Sequence, residues 1–205
     1  MELREQRFGI EIEMTGITRA GAAKVAATYF GTRSEYVGTY YQTYAAVDQE
    51  GRQWKFMSDG SIRAEKKVNG EKRAAGAVYR TEMVSPICRY EDIEKIQELI
   101  RELKKKGAIV NESCGIHVHI DASPFDAGKL RNLTNIMAAK EDLIYKALGV
   151  SVERQHRWCR PVEERFLEEL NRRRPTSMEA VEEIWYNGRS RRGQHYDQSR
   201  YHCLN

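Results

Sequence analysis

The sequence predicts an α+β fold, an antiparallel sheet with helices packed on one face. Three observations carry that expectation. Residues 7–15 alternate in the period of a strand, with Phe8, Ile10, Ile12 and Met14 against Gly9, Glu11 and Glu13. Residues 90–106 repeat apolar side chains at helical spacing, and residues 125–148 read as a second long helix. Strands and helices do not alternate one for one, as a parallel βαβ sheet would require.

The elements follow in order. After the first strand, Thr18 can cap a helix over residues 19–29, which Gly31 ends. The Tyr-rich residues 36–47 and the stretch 53–58 read as further strands, punctuated by Gly51 and by Asp59-Gly60. Residues 66–76 are charged and rich in Gly and Ala, an exposed hairpin loop. Residues 78–85 form a strand that Pro86 stops. The helix at 90–106 carries Ile93, Ile96, Leu99, Ile100 and Leu103 on one stripe, with Gly107 as its stop. Residues 108–110 and 115–120 read as strands, and Asp126 begins the helix at 125–148. Two more helices are expected near 162–173 and 177–186.

The 205 residues suit one domain, and 40% hydrophobic against 31% charged residues is a globular balance. The net charge of +4 comes from interspersed signs rather than a polybasic tail, which argues against nucleic acid as a partner. Cys88, Cys114, Cys159 and Cys203 lie far apart without CxxC spacing, so neither a disulfide framework nor a zinc knuckle is signalled. The N-terminus lacks an apolar signal core, and no stretch approaches the ~18 apolar residues of a membrane span. The expectation is a reduced, cytoplasmic protein with no membrane partner.

Candidate chemistry lies on the strands. Glu11 and Glu13 are two apart, so both point to one face, roughly 7 Å from each other. Such a pair suits a hard cation, and it equally suits the solvated face of an ordinary amphipathic strand. His117 and His119 repeat the pattern in CGIHVHID, with Ile116, Val118 and Ile120 on the other face. One imidazole could ligate metal while the other donates to a phosphate oxygen; two exposed strand histidines are the simpler alternative. A cupin would place a glutamate within a few residues of such an HxH, whereas here the next is Glu141, inside a predicted helix. Glu82, among Thr81, Met83 and Val84, is costly to bury unless it is paired with an arginine such as Arg80 or bound to metal. The turn SDGSI offers Asp59 and Ser61, a common turn when taken alone. Residues 172–174 and 189–192 could grip phosphate, but from Glu153 onward eleven arginines face nine acids, which favours a mixed solvated surface.

Taken in order, FGIEIE, MSDGSI, TEMVSPI, CGIHVHID and RYHCLN resemble the successive motifs of the amidoligase family. That family lies within the superfamily of glutamine synthetase and glutamate–cysteine ligase. The resemblance covers nearly the whole chain, and FGIEIE with CGIHVHID is its most specific part. It implies a single catalytic domain over residues 1–205, with the sheet curved into a glutamine synthetase-like half-barrel. It implies an ATP-dependent carboxylate–amine ligase that forms an amide or peptide bond through an acyl phosphate. ATP and two magnesium or manganese ions would be its cofactors, and small-molecule or peptide carboxylates and amines its substrates. Carried over by position, Glu11 and His117 would hold one metal and Glu13 and Glu82 the other, these four being the catalytic set. His119 would contact ATP phosphates, Asp59 and Ser61 would order the substrate side, and Arg200 and Asn205 would lie at a strand start near the nucleotide. Related chains continue into further strands past RYHCLN, so an incomplete site is expected here, together with a sheet edge that favours a homo-oligomer. A metal-dependent hydrolase or oxygenase, and a non-catalytic module that keeps the fold, are the other readings.

Overall fold

The computed structural model describes residues 2–188 and 198–205. The chain divides into two compact units, Met1–Asp121 and Ala122–Asn205.

The first unit is α+β. Strands β1 (Phe8–Met14), β2 (Ser34–Gly38), β3 (Thr43–Val47), β4 (Gln53–Met57), β7 (Thr81–Val84) and β8 (Ile116–Ile120) form one open sheet in the order β2-β3-β4-β7-β1-β8. Every pairing in it is antiparallel. The charged loop expected at 66–76 is itself a two-stranded hairpin, β5 (Glu65–Val68) and β6 (Glu71–Ala74). Asn69 and Gly70 turn it, both with positive φ, the conformation a tight hairpin demands.

Helix α1 (Arg19–Phe30) begins where expected: the Thr18 hydroxyl accepts from the Gly21 N–H, and Gly31 closes it in the left-handed region. Its buried Ala22, Ala23, Ala26 and Ala27 let the helix approach the sheet closely. They pack with Met14, Trp54, Phe56 and Met83, and with Ile96, Leu99 and Leu103 of α2 (Asp92–Lys105). Fully burying one such large side chain stabilises the unit by about 1.5–3 kcal/mol.

Three expectations need correction. The stretch 36–47 is two strands, because Gly38, Thr39 and Gln42 adopt positive φ and fold it into a turn. Residues 108–110 give only an isolated antiparallel bridge, in which Ile109 and Thr15 exchange both backbone hydrogen bonds and the pairing goes no further. The strand expected at 78–85 is shortened to β7 by a 3-10 turn at Ala77–Tyr79.

The second unit is helical: α3 (Ala127–Leu148), α4 (Val152–Arg157), α5 (Glu164–Arg173) and α6 (Met178–Trp185). Asp126 caps α3 as expected, accepting from Lys129 N–H. Helix α4, capped by Ser151, lies outside the helices expected from the sequence. Ala127, Val162, Phe166, Leu170, Val181 and Ile184 form this unit's core. The motif at 200–205 does not begin a strand. Gln198–Tyr201 is a 3-10 turn, and His202 makes a lone parallel bridge to Arg160. Among the described residues the sheet edges are therefore β2 and β8. No helix among them is long and apolar enough to cross a membrane.

Candidate active site

Register decides which side chains share a face, because partners directly opposite in an antiparallel pair point the same way. Glu13 stands opposite Glu82, Glu11 opposite His117, and Gly9 opposite His119. All five titratable groups therefore lie on one face of the sheet. The opposite face of β1 packs against the core through Phe8, Ile10, Ile12 and Met14. On β8, in contrast, Ile116, Val118 and Ile120 are 66%, 57% and 48% exposed, so this edge strand carries its histidines without a covered apolar face.

The turn after β4 completes the constellation. Asp59 Oδ1 accepts from the Ser61 N–H at 2.6 Å, which fixes the loop, and Ser61 Oγ donates to Glu13 Oε1 at 3.2 Å. One carboxylate oxygen each from Glu13, Asp59 and Glu82 lie within 4.8 Å of one another. Glu13 and Glu82 are 6% and 9% exposed. The second oxygen of Glu13 accepts from the Gly115 N–H at 2.6 Å, tying the loop before β8 to the cluster.

Electrostatics follow from this crowding. Burial, reinforced by Glu11, Asp59 and Glu13, pushes the Glu82 carboxyl up to about 8. Burial also raises Glu13, against the Gly115 hydrogen bond, which favours its ionised form. Among the described residues no arginine or lysine pairs with Glu82, so the arginine-paired alternative is not realised. Arg80 instead gives its carbonyl to Arg19. His119 Nε2 lies 3.3 Å from Glu11 Oε1 and is 62% exposed, open to a ligand.

Asp59 is the residue whose position adds most. Expected on the substrate side, it has a carboxylate oxygen within 4.8 Å of those of Glu13 and Glu82. Lys55 joins the residues expected on this face. Register places it opposite Val84, which is opposite Glu11, so it stands on the same face. The alternation Trp54-Lys55-Phe56, with both aromatics buried, was the signal for it.

Arg200 and Asn205 belong to the second unit, where Asn205 Nδ2 donates to the carbonyls of Arg200 and His202. Arg172 and Arg173 pair with Glu169 and Glu183, while Arg174 lines a groove of about 600 Å³ with Arg131, Asn132, Asn135 and Asn171. The arginines at 189–192 lie outside the described residues.

Neither the curated proteins nor the solved structures contain a match to this chain. The family described as "Putative amidoligase enzyme" matches residues 4–205. That span holds the sheet, the carboxylate face and the helical unit, and the chain belongs to this family of ligases.

Proposed function

We propose that this chain is an ATP-dependent carboxylate–amine ligase whose open sheet serves as a glutamine synthetase-like half-barrel. In the proposed reaction a substrate carboxylate oxygen takes the γ-phosphoryl group of ATP and ADP departs. An amine then displaces phosphate from the acyl phosphate and loses a proton, leaving an amide. The observation that carries the reading is the convergence of Glu13, Asp59 and Glu82 on one face of an amidoligase-family chain.

The donor set fits a divalent cation. Its atoms are carboxylate oxygens, the ligands magnesium and manganese prefer, and no cationic side chain neutralises Glu82 among the described residues. A cation there would supply positive charge to the oxygens of a transferring phosphoryl group. Glu13, Asp59 and Glu82 are the ligands proposed for one ion, and Glu11 with His117 for a second. Gly115 and Ser61 orient Glu13 by their hydrogen bonds. His119, facing solvent beside Glu11, is the proposed phosphate contact, and Lys55 is a second cation on that face. Arg200 and Asn205 enter as nucleotide contacts by family resemblance alone. ATP supply and cysteines that form no disulfide suit the cytoplasm.

The test is release of ADP and phosphate with magnesium, ATP and a panel of amino acids and peptides, in wild type and Glu11→Ala. A loss of about 10²–10³-fold is expected, the scale of one lost electrostatic contact to a transition state. Equal release in both proteins sinks the role of Glu11. Product formed without ATP favours a metal-dependent hydrolase.

A further inference from the structure

We propose that the β5–β6 hairpin is a docking arm for an acidic peptide, the carboxylate donor of the reaction proposed above. That the hairpin holds a polyanion rests on its own charges, and that the polyanion is a carboxylate-bearing peptide rests on the ligase reading.

The hairpin carries like charges directly across its two strands. Lys66 stands opposite Arg73, and Lys67 opposite Lys72. Like charges in that position destabilise a pair of strands, and a lone two-stranded hairpin has little stability to lose. Five basic side chains, with Arg63 as the fifth, face only Glu65 and Glu71 between residues 63 and 74. Those acids are taken: Arg63 pairs with Glu65 and, from the loop before β8, with Glu112, and Arg73 pairs with Glu71, which leaves the three lysines as the arm's excess charge. Lys66 sits over the Tyr79 ring, and Lys72 Nζ donates to the Val110 carbonyl. None of Lys66, Lys67 and Lys72 forms an ion pair among the described residues.

The root of the arm is bolted to the carboxylate face. Thr15 follows Glu13 by two residues on the same face. Its hydroxyl accepts from the Glu65 N–H and donates to the Glu65 carbonyl, each at 2.8 Å. The Arg63 N–H donates to Ser113 Oγ, in the loop whose Gly115 N–H holds Glu13. From this root each strand of the arm runs for roughly 13 Å. A chain of carboxylates held along it would lead to Glu13 and Asp59, a centre that repels free carboxylates without such help. The partner is therefore a peptide rather than a nucleic acid. A nucleic acid brings no reacting carboxylate, and the ring beside the arm, Tyr79, is covered by Lys66 instead of open to a base.

The experiment measures binding of a fluorescein-labelled hexaglutamate peptide by anisotropy, to wild type and to Lys67→Glu and Lys72→Glu singly. Each reversal converts a like pair into an opposite pair; melting should hold or rise in Lys67→Glu, whereas Lys72→Glu also loses its bond to the Val110 carbonyl, so Lys67→Glu carries the comparison. Lys67→Gln is the neutral control for fold. Binding should weaken about tenfold in each reversal and fall with added salt, while hexalysine does not bind. Unchanged peptide binding in both reversals overturns the proposal. Tighter binding of an oligonucleotide of equal charge, lost in the same variants, also overturns it in favour of nucleic acid. If the peptide binds through the hairpin and no ADP is ever released, docking stands and the ligase reading falls. If Glu11→Ala abolishes turnover while the reversals leave KM for the peptide unchanged, the ligase reading stands and docking falls.

Discussion

Glu13 and Glu82 stand directly opposite one another on adjacent antiparallel strands, two buried carboxylates on one face with no lysine or arginine paired to them among the described residues. Such a pair opposes folding through both desolvation and mutual repulsion. Its stabilising counterpart in the proposed function is a divalent cation, and the first two predictions test that division between stability and binding.

Glu82→Gln should stabilise the chelator-treated protein while weakening metal binding. The Glu82 carboxyl is raised from 4.5 to about 8, so the folded state holds a proton that the unfolded state releases. Stability from this group is full below pH 4.5 and is lost as pH rises to about 8. The glutamine variant lacks this loss, so its advantage should grow across that window to a few kcal/mol and level off above it. Thermal melts in EDTA against pH check the trend. A variant less stable than wild type at pH 8 would contradict the buried-charge account.

Asp59→Asn should lower manganese affinity about 10-fold or more, with little change in melting temperature of the chelated protein. The amide keeps the oxygen that accepts from the Ser61 N–H, so the turn is preserved while the ligand charge is lost. Isothermal titration with manganese checks it. Unaltered affinity would return Asp59 to a role on the substrate side.

Arg52→Ala should destabilise the first unit by about 3–5 kcal/mol, the scale of stranding a buried partner. Arg52 spans Asp48, whose side chain is 1% exposed, and Asp92 at the start of α2, at 2.9 and 2.7 Å. Hydrogen bonding from Arg52 holds Asp92 well below the usual carboxylate range. Its contribution is therefore present above pH 3.8 and lost as pH falls below it. Urea unfolding at pH 7 and pH 3 should show the penalty shrinking in acid.

Gly16→Ala should cost more than about 2 kcal/mol, from both a left-handed backbone and a clash. Gly16 has φ +81, and a Cβ there would lie 2.4 Å from the Gly107 carbonyl oxygen. Gly31→Ala, at φ +68 with open space around it, separates the two causes and should cost less. Equal losses in the two variants would remove the clash from the account.

Much of the fold was legible locally. The alternation of Phe8–Met14, the Thr18 cap, the Gly31 stop and the stripe on α2 depend on neighbours within a few residues, which the sequence displays. The pairing of Glu11 with Glu13 on one face was legible for the same reason, since strand period alone fixes it. Partnership across strands was not. That Glu82 faces Glu13, that His117 faces Glu11, and that the turn after β4 brings Asp59 to them depend on pairing between segments 23 to 106 residues apart. Register follows from how α1, α2 and the sheet bury Trp54, Phe56 and Met83 together, and no single segment encodes that packing. The sequence by itself determined which strands carry carboxylates and imidazoles, through local periodicity. Only the tertiary structure decided that two of those carboxylates, Glu13 and Glu82, meet Asp59 of the turn, because long-range burial sets which strands lie side by side.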